Sequence, residues 1–148
     1  MSISVVLAHV LAAALSGPSP VAAHHDPVPM IVTQCSDALP WPGDTRGSVV
    51  RRVAFNGRSV ELHAKRFNGK QYGWARLTGS TRTGDEVYMM VHKGDQSCYT
   101  RLQRIGVDGY DAWSQMWPAS SQGSQRFQAC GWFPHDGPEG TSRCTGHW

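Results

Sequence analysis

Six tryptophans, Trp41, Trp74, Trp113, Trp117, Trp132 and Trp148, are the richest chemical resource of this chain, and several stand beside Gly, Ser, Gln or Asp. A flat indole next to polar groups is what sugar rings and unstacked bases bind, although in a small β domain it is also the largest core filler. Trp74, between Tyr72 and Arg76, reads as packed, whereas Trp41 and Trp132, beside Pro and Gly, read as loop residues open to a ligand. The second resource is charge. Residues 46–104 carry twelve basic and four acidic residues, while residues 24–45 carry three acids and residues 105–148 two bases and four acids. A basic middle between acidic ends suits an anionic polymer, with Arg52, Lys65, Arg66 and Lys70 as contacts. The plainer reading leaves such cations on solvated strand faces, partly paired with Glu61, Asp85 and Glu86.

Other chemistries find no motif. A nucleophilic hydrolase needs an activated Ser or Cys, and neither the GxSxG elbow nor a spare thiol is present once four cysteines pair. The seven histidines are scattered, and His63, His92, His135 and His147 lack the helical spacing of a metal-ligand pair. Neither a metal nor a cofactor is expected. Acid–base work by two carboxylates would draw on Glu61, Asp85, Glu86, Asp95, Asp108 or Asp111, whose convergence spacing alone does not decide.

Cysteine usage and the start of the chain bear on location. Ile3 to Leu15 is an apolar run that stops at Ser16, Gly17 and Pro18 and leads to Val21, Ala22 and Ala23. It is too short for a bilayer, which needs roughly 20 apolar residues. Apolar core, helix breakers, then small residues around a cut after Ala23 is the layout of a secretory leader, here without an early Lys or Arg. In an exported chain Cys35, Cys98, Cys130 and Cys144 read as two disulfides, with three pairings open. The interval holding Gly131, Pro134, Gly137, Pro138 and Gly140 favours Cys130 with Cys144, which leaves Cys35 for Cys98.

The elements that must hold these residues are strands. Residues 24–47, rich in Pro and Gly, read as an extended arm before a single β domain over 48–148. Asn56-Gly57 between Ser48–Phe55 and Arg58–Lys65 predicts a type I′ hairpin with Val53 opposite Val60 and Arg52 opposite Glu61. That register puts Val53, Phe55, Val60, Leu62 and Ala64 on one face, and Arg52, Ser59, Glu61, His63 and Lys65 on the other, toward water. Further strands are expected over 71–78, 86–92, 98–105, 112–117, 125–132 and 143–147. The fold class is all-β, a small antiparallel sandwich or barrel with two disulfides.

Val60-Glu61-Leu62, Tyr72-Gly73-Trp74-Ala75-Arg76-Leu77 and Gly84-Asp85-Glu86-Val87 together resemble segments of small secreted actinobacterial proteins of uncharacterised function. The ending, Arg126 to Gly131 followed by Cys144-Thr145-Gly146-His147-Trp148, is similar to their terminal ACG and CTxWW signature, with His147 in place of the penultimate aromatic. The resemblance implies a secreted β domain with Cys130 joined to Cys144, and brings no catalytic residue. The expectation is a secreted, monomeric, non-enzymatic protein that binds an anionic polymer or glycan at the cell envelope. Its contacts would be Arg52, Lys65, Arg66, Lys70, Trp41 and Trp132. Sequence-specific nucleic-acid binding and a membrane anchor are not expected. The alternatives are an inhibitor of extracellular proteases, presenting the loop between Cys130 and Cys144, and a small hydrolase with paired carboxylates.

Overall fold

The computed structural model describes residues 32–41, 43, 47–119 and 123–148. The expected leader and the first part of the arm lie outside the described residues. Eleven strands follow in order: β1 (Thr33–Gln34), β2 (Ser48–Phe55), β3 (Arg58–Phe67), β4 (Lys70–Gly79), β5 (Glu86–Lys93), β6 (Gln96–Tyr99), β7 (Gln103–Arg104), β8 (Ala112–Trp113), β9 (Trp117–Pro118), β10 (Gln125–Phe133) and β11 (Thr141–Cys144). They form two sheets. One runs β1-β6-β5-β10-β11 with β7 also on β5, and the other runs β2-β3-β4-β8 with β9 also on β4. Every pairing between strands is antiparallel except β1 with β6. Within the arm, Thr33–Gln34 therefore joins the sheet, and the adjoining Cys35–Cys98 disulfide holds it to β6.

Alternation along the strands builds the core. Val60, Leu62, Ala75 and Leu77 from one sheet meet Val87, Met89, Val91, Phe127, Ala129 and Phe133 from the other, with Ile105 and Trp117 closing the sides. The expected hairpin register holds at Val53 opposite Val60 and Arg52 opposite Glu61. Asn56 and Gly57 take φ of 47° and 77°, the left-handed pair that a type I′ turn requires. A bulge between Val49 and Arg51 then shifts β2 by one residue. Asn68 and Gly69 repeat the same turn, with φ of 48° and 79°, so β3 and β4 extend to Phe67 and from Lys70, beyond the expected ends.

Two expected strands are split. The run over 98–105 breaks at Thr100, and the run over 112–117 breaks at Ser114. In each case a buried hydroxyl takes the place of a ladder carbonyl: Met89 N–H donates to Thr100 Oγ1 and Ala75 N–H to Ser114 Oγ, both at 2.9 Å. The backbone N–H groups of Thr100 and Ser114 return bonds to Met89 O and Ala75 O. Thr145 does the same to Ala129 after β11 ends.

The polar face of the first hairpin is a correction to the sequence reading. Glu61 and His63 are buried, each 3% exposed. His63 stacks on the fully buried Trp74 and meets the edge of Trp113, while Trp41 stacks on Trp113 at 4.9 Å. An aromatic layer from distant parts of the chain covers this face, which strand alternation alone assigns to solvent.

Candidate functional site

Four cations without a carboxylate partner among the described residues, Lys65, Arg66, Lys70 and Lys93, lie toward one open end of the sandwich, while Arg51, Arg101, Arg126 and Arg143, equally without one, border neither concavity there. The alternation that buries Val60, Leu62 and Ala64 continues to Arg66, which sits past the core opposite Gln71 on β4. Lys70 follows the Asn68-Gly69 turn. Trp148 is tied to β10 by a reciprocal backbone pair with Phe127, its N–H to Phe127 O at 3.0 Å and Phe127 N–H to its carbonyl at 2.9 Å. Its ring packs against that of Phe127 and over Gly73, where a Cβ would lie 3.6 Å from the indole.

Two concavities flank this indole. One, of about 480 Å³, is bounded by Arg66, Lys70, Gln71, Pro118, Ala119, Gln125, Phe127 and Trp148. The other, of about 450 Å³, is bounded by Gly47, Ser48, Val50, Ala64, Lys65, Arg66, Gln71 and Trp148. Arg66, Gln71 and Trp148 belong to both. Lys93, opposite Gln125 on β5, holds its ammonium 4.4 Å from the ring centre of Trp117. None of Lys65, Arg66, Lys70 and Lys93 is within ion-pair distance of a carboxylate among the described residues. Among the described residues no ion pair offsets their charge.

Of the residues singled out in the sequence, Arg66 and Lys70 border the first concavity; Lys65 leaves β3 on the face opposite to Arg66, borders the second, and holds its ammonium 5.5 Å from the ring centre of Phe67. Arg52 borders neither: its guanidinium is 2.7 Å from Glu61 Oε1 on the outer face of the β2-β3-β4 sheet, so its charge is already matched. Trp41 belongs to the aromatic layer over Glu61 and His63. Trp132 lies on the outer face of the opposite sheet, where a groove of about 590 Å³ also takes in Tyr88, Met90, Tyr99 and Leu102. Trp148 and Gln71 were not among the residues chosen from sequence. The signal for Trp148 was present in its adjoining Gly146 and His147, but nothing local ties residue 148 to residues 66 and 70.

Of the six carboxylates named for acid–base work, Glu61, Asp85, Glu86, Asp108 and Asp111 are engaged in ion pairs or hydrogen bonds among the described residues, and Asp95 is not. Asp85 and Asp136 both bind the buried Arg58, at 2.7 and 2.8 Å, Glu86 binds Arg104, Asp111 binds Arg76, and Asp108 accepts from the Thr83 N–H and hydroxyl. Burial alone would raise the Glu61 carboxyl, but the His63 hydrogen bond and the charges of Arg52, His63 and Arg76 outweigh it and hold Glu61 below the usual carboxylate range. The loop after β10 is tied down by Asp136 on Arg58, by His135 Nε2 at 3.1 Å from Thr83 O, and by the Thr141 hydroxyl donating to Asp136 O. Cys130 and Cys144 are joined beneath it. Among the described residues no group of His, Cys, Asp and Glu is arranged to hold a metal ion, and no helix is long and apolar enough to cross a membrane. Comparison with protein-family models, with curated proteins and with solved structures finds no match to this chain.

Proposed function

We propose that the protein is exported through its N-terminal leader and binds an anionic polymer of the cell envelope in the cleft at the Trp148 end of the sandwich. The observation that carries this is that Arg66 and Lys70 border one of two adjoining concavities and Arg66 and Lys65 the other, none of the three with a carboxylate partner among the described residues. Two disulfides accord with an oxidising compartment. Retention of the purified protein on washed envelope in low and high salt tests the reading. Retention should fall with salt, because exposed charges are screened over about 8 Å at physiological ionic strength. Arg66→Glu with Lys70→Glu should weaken retention about tenfold or more, whereas Arg52→Gln, which removes a charge outside the cleft without setting a second carboxylate against Glu61, should leave its salt dependence unchanged. Equal loss from both variants, or retention indifferent to salt, contradicts the cleft as the site.

A second reading rests on the loop over 134–140, which is held at three points and exposes Pro138 and Glu139. A rigid exposed loop of this kind is what an extracellular protease inhibitor presents. Titration against secreted serine proteases should then give stoichiometric loss of their activity, and turnover unchanged at molar excess removes this alternative.

A further inference from the structure

The chemistry of the cleft is more selective than its charge. Its two concavities meet at an indole, and Gln71 lines both together with Arg66. An indole face gives nothing to a bare polyphosphate, but it packs against the C–H face of a sugar ring. A carboxamide donates and accepts at once, which suits hydroxyl groups rather than an anion alone. Cations border both concavities: Lys70 the first, Arg66 both, and Lys65 the second, with its ammonium 5.5 Å from the ring centre of Phe67. Arg66 offers a planar fork for a carboxylate or phosphate at the junction.

We infer that the cleft binds an acidic glycan, a chain of sugar rings bearing carboxylate or phosphate groups, with successive units on the two sides of Trp148 and Arg66 holding the anion between them. This rests on the reading of the cleft as a polyanion site and adds the ring to the charge. Pre-organisation supports it, since Trp148 is fixed by its reciprocal backbone pair with Phe127 and by contact with the Phe127 ring, so its ordering is not deferred until the ligand arrives.

Calorimetric titration of the purified full chain with tetragalacturonate, its methyl ester and inorganic polyphosphate of similar length tests the inference. Tetragalacturonate should bind, and methyl esterification, which removes the charge and keeps the ring, should weaken it tenfold or more. Trp148→Leu should weaken tetragalacturonate tenfold or more while changing polyphosphate binding by less than twofold. Because Trp148 also packs on Phe127, Gln71→Ala provides a second variant that alters a side chain in the cleft and leaves the β3–β4 backbone pairing in place. It should reproduce the same discrimination. If both variants weaken polyphosphate as much as tetragalacturonate, the ring is not recognised and only the electrostatic site remains. If neither anion binds, the polyanion reading falls with it.

Discussion

At the scale of single residues, the most demanding position is Arg58. Its side chain is 1% exposed and serves two carboxylates, Asp85 at 2.7 Å and Asp136 at 2.8 Å, while the Arg82 N–H also donates to Asp85. Removing the guanidinium leaves Asp85 charged in a place water does not reach. Arg58→Met should cost about 3–5 kcal/mol in chemical denaturation. Asp85→Asn in the Arg58→Met background should recover part of that loss, a coupling that a double-mutant cycle reads directly. Glu61 sets a pH dependence. Its folded carboxyl titrates below its unfolded value, so the stability it contributes is present above about pH 4.5 and is lost as pH falls through the lower, folded value. Glu61→Gln should flatten the fall in urea midpoint below pH 4.5 relative to the parent protein. A difference between the two that does not change across that range would contradict the assignment. Strand alternation correctly pairs Arg52 with Glu61, but it gives no sign that Trp74 and Trp113 flank the neighbouring His63 or that Trp41 stacks on Trp113.

At the scale of elements, the two Asn-Gly turns and the three hydroxyl substitutions shape the sheets. Gly57 has φ of 77°, and a Cβ there would lie 3.0 Å from Ser80 Oγ, so Gly57→Ala is strained in backbone and in space. It should cost about 1–2 kcal/mol in equilibrium denaturation, the penalty of a left-handed residue with a side chain. Gly43, also at positive φ but with open space around it, should cost only the backbone part. Thr100, Ser114 and Thr145 each accept a strand N–H through the side chain and donate their own N–H in return. Thr100→Val keeps the shape and removes the acceptor, leaving the Met89 N–H buried and unpaired, a loss of about 1–3 kcal/mol. Thr100→Ser should lose less, and a larger loss from Thr100→Ser than from Thr100→Val would show that the methyl group rather than the hydroxyl matters. The first Asn-Gly turn was read from its flanking β-rich runs. The second carries the same dipeptide, but Lys65, Arg66 and Lys70 around it dilute the apolar alternation. The hydroxyl breaks had no legible cue, since a Thr inside a β-rich run ordinarily continues the strand.

At the scale of the whole molecule, two disulfides close loops of very different span. Cys35–Cys98 joins residues 63 apart and also fixes β1 to its parallel neighbour, whereas Cys130–Cys144 joins residues 14 apart within one antiparallel pair. In the chain-entropy model these contribute about 4 and about 3 kcal/mol. Replacing Cys35 and Cys98 by Ser should therefore lower the denaturation midpoint more than replacing Cys130 and Cys144. The reverse order would place the greater share of stabilisation in the β10–β11 pair.

The all-β class, the first hairpin's register and the favoured disulfide pairing were legible in the chain itself. They rest on interactions between near neighbours: a side-chain period of two, an Asn-Gly pair that tolerates positive φ, and a turn-rich interval that returns one cysteine to the next. What covers each face of a sheet was decided only by tertiary structure. Alternation assigns Glu61 and His63 to a side but does not say that Trp113 from another strand lies over it. It likewise gives Arg66 its side of β3, while the meeting of Arg66 and Lys70 with Trp148 depends on two sheets closing face to face. Local sequence determines the direction in which a side chain leaves its strand, and the packing of distant strands determines what it meets.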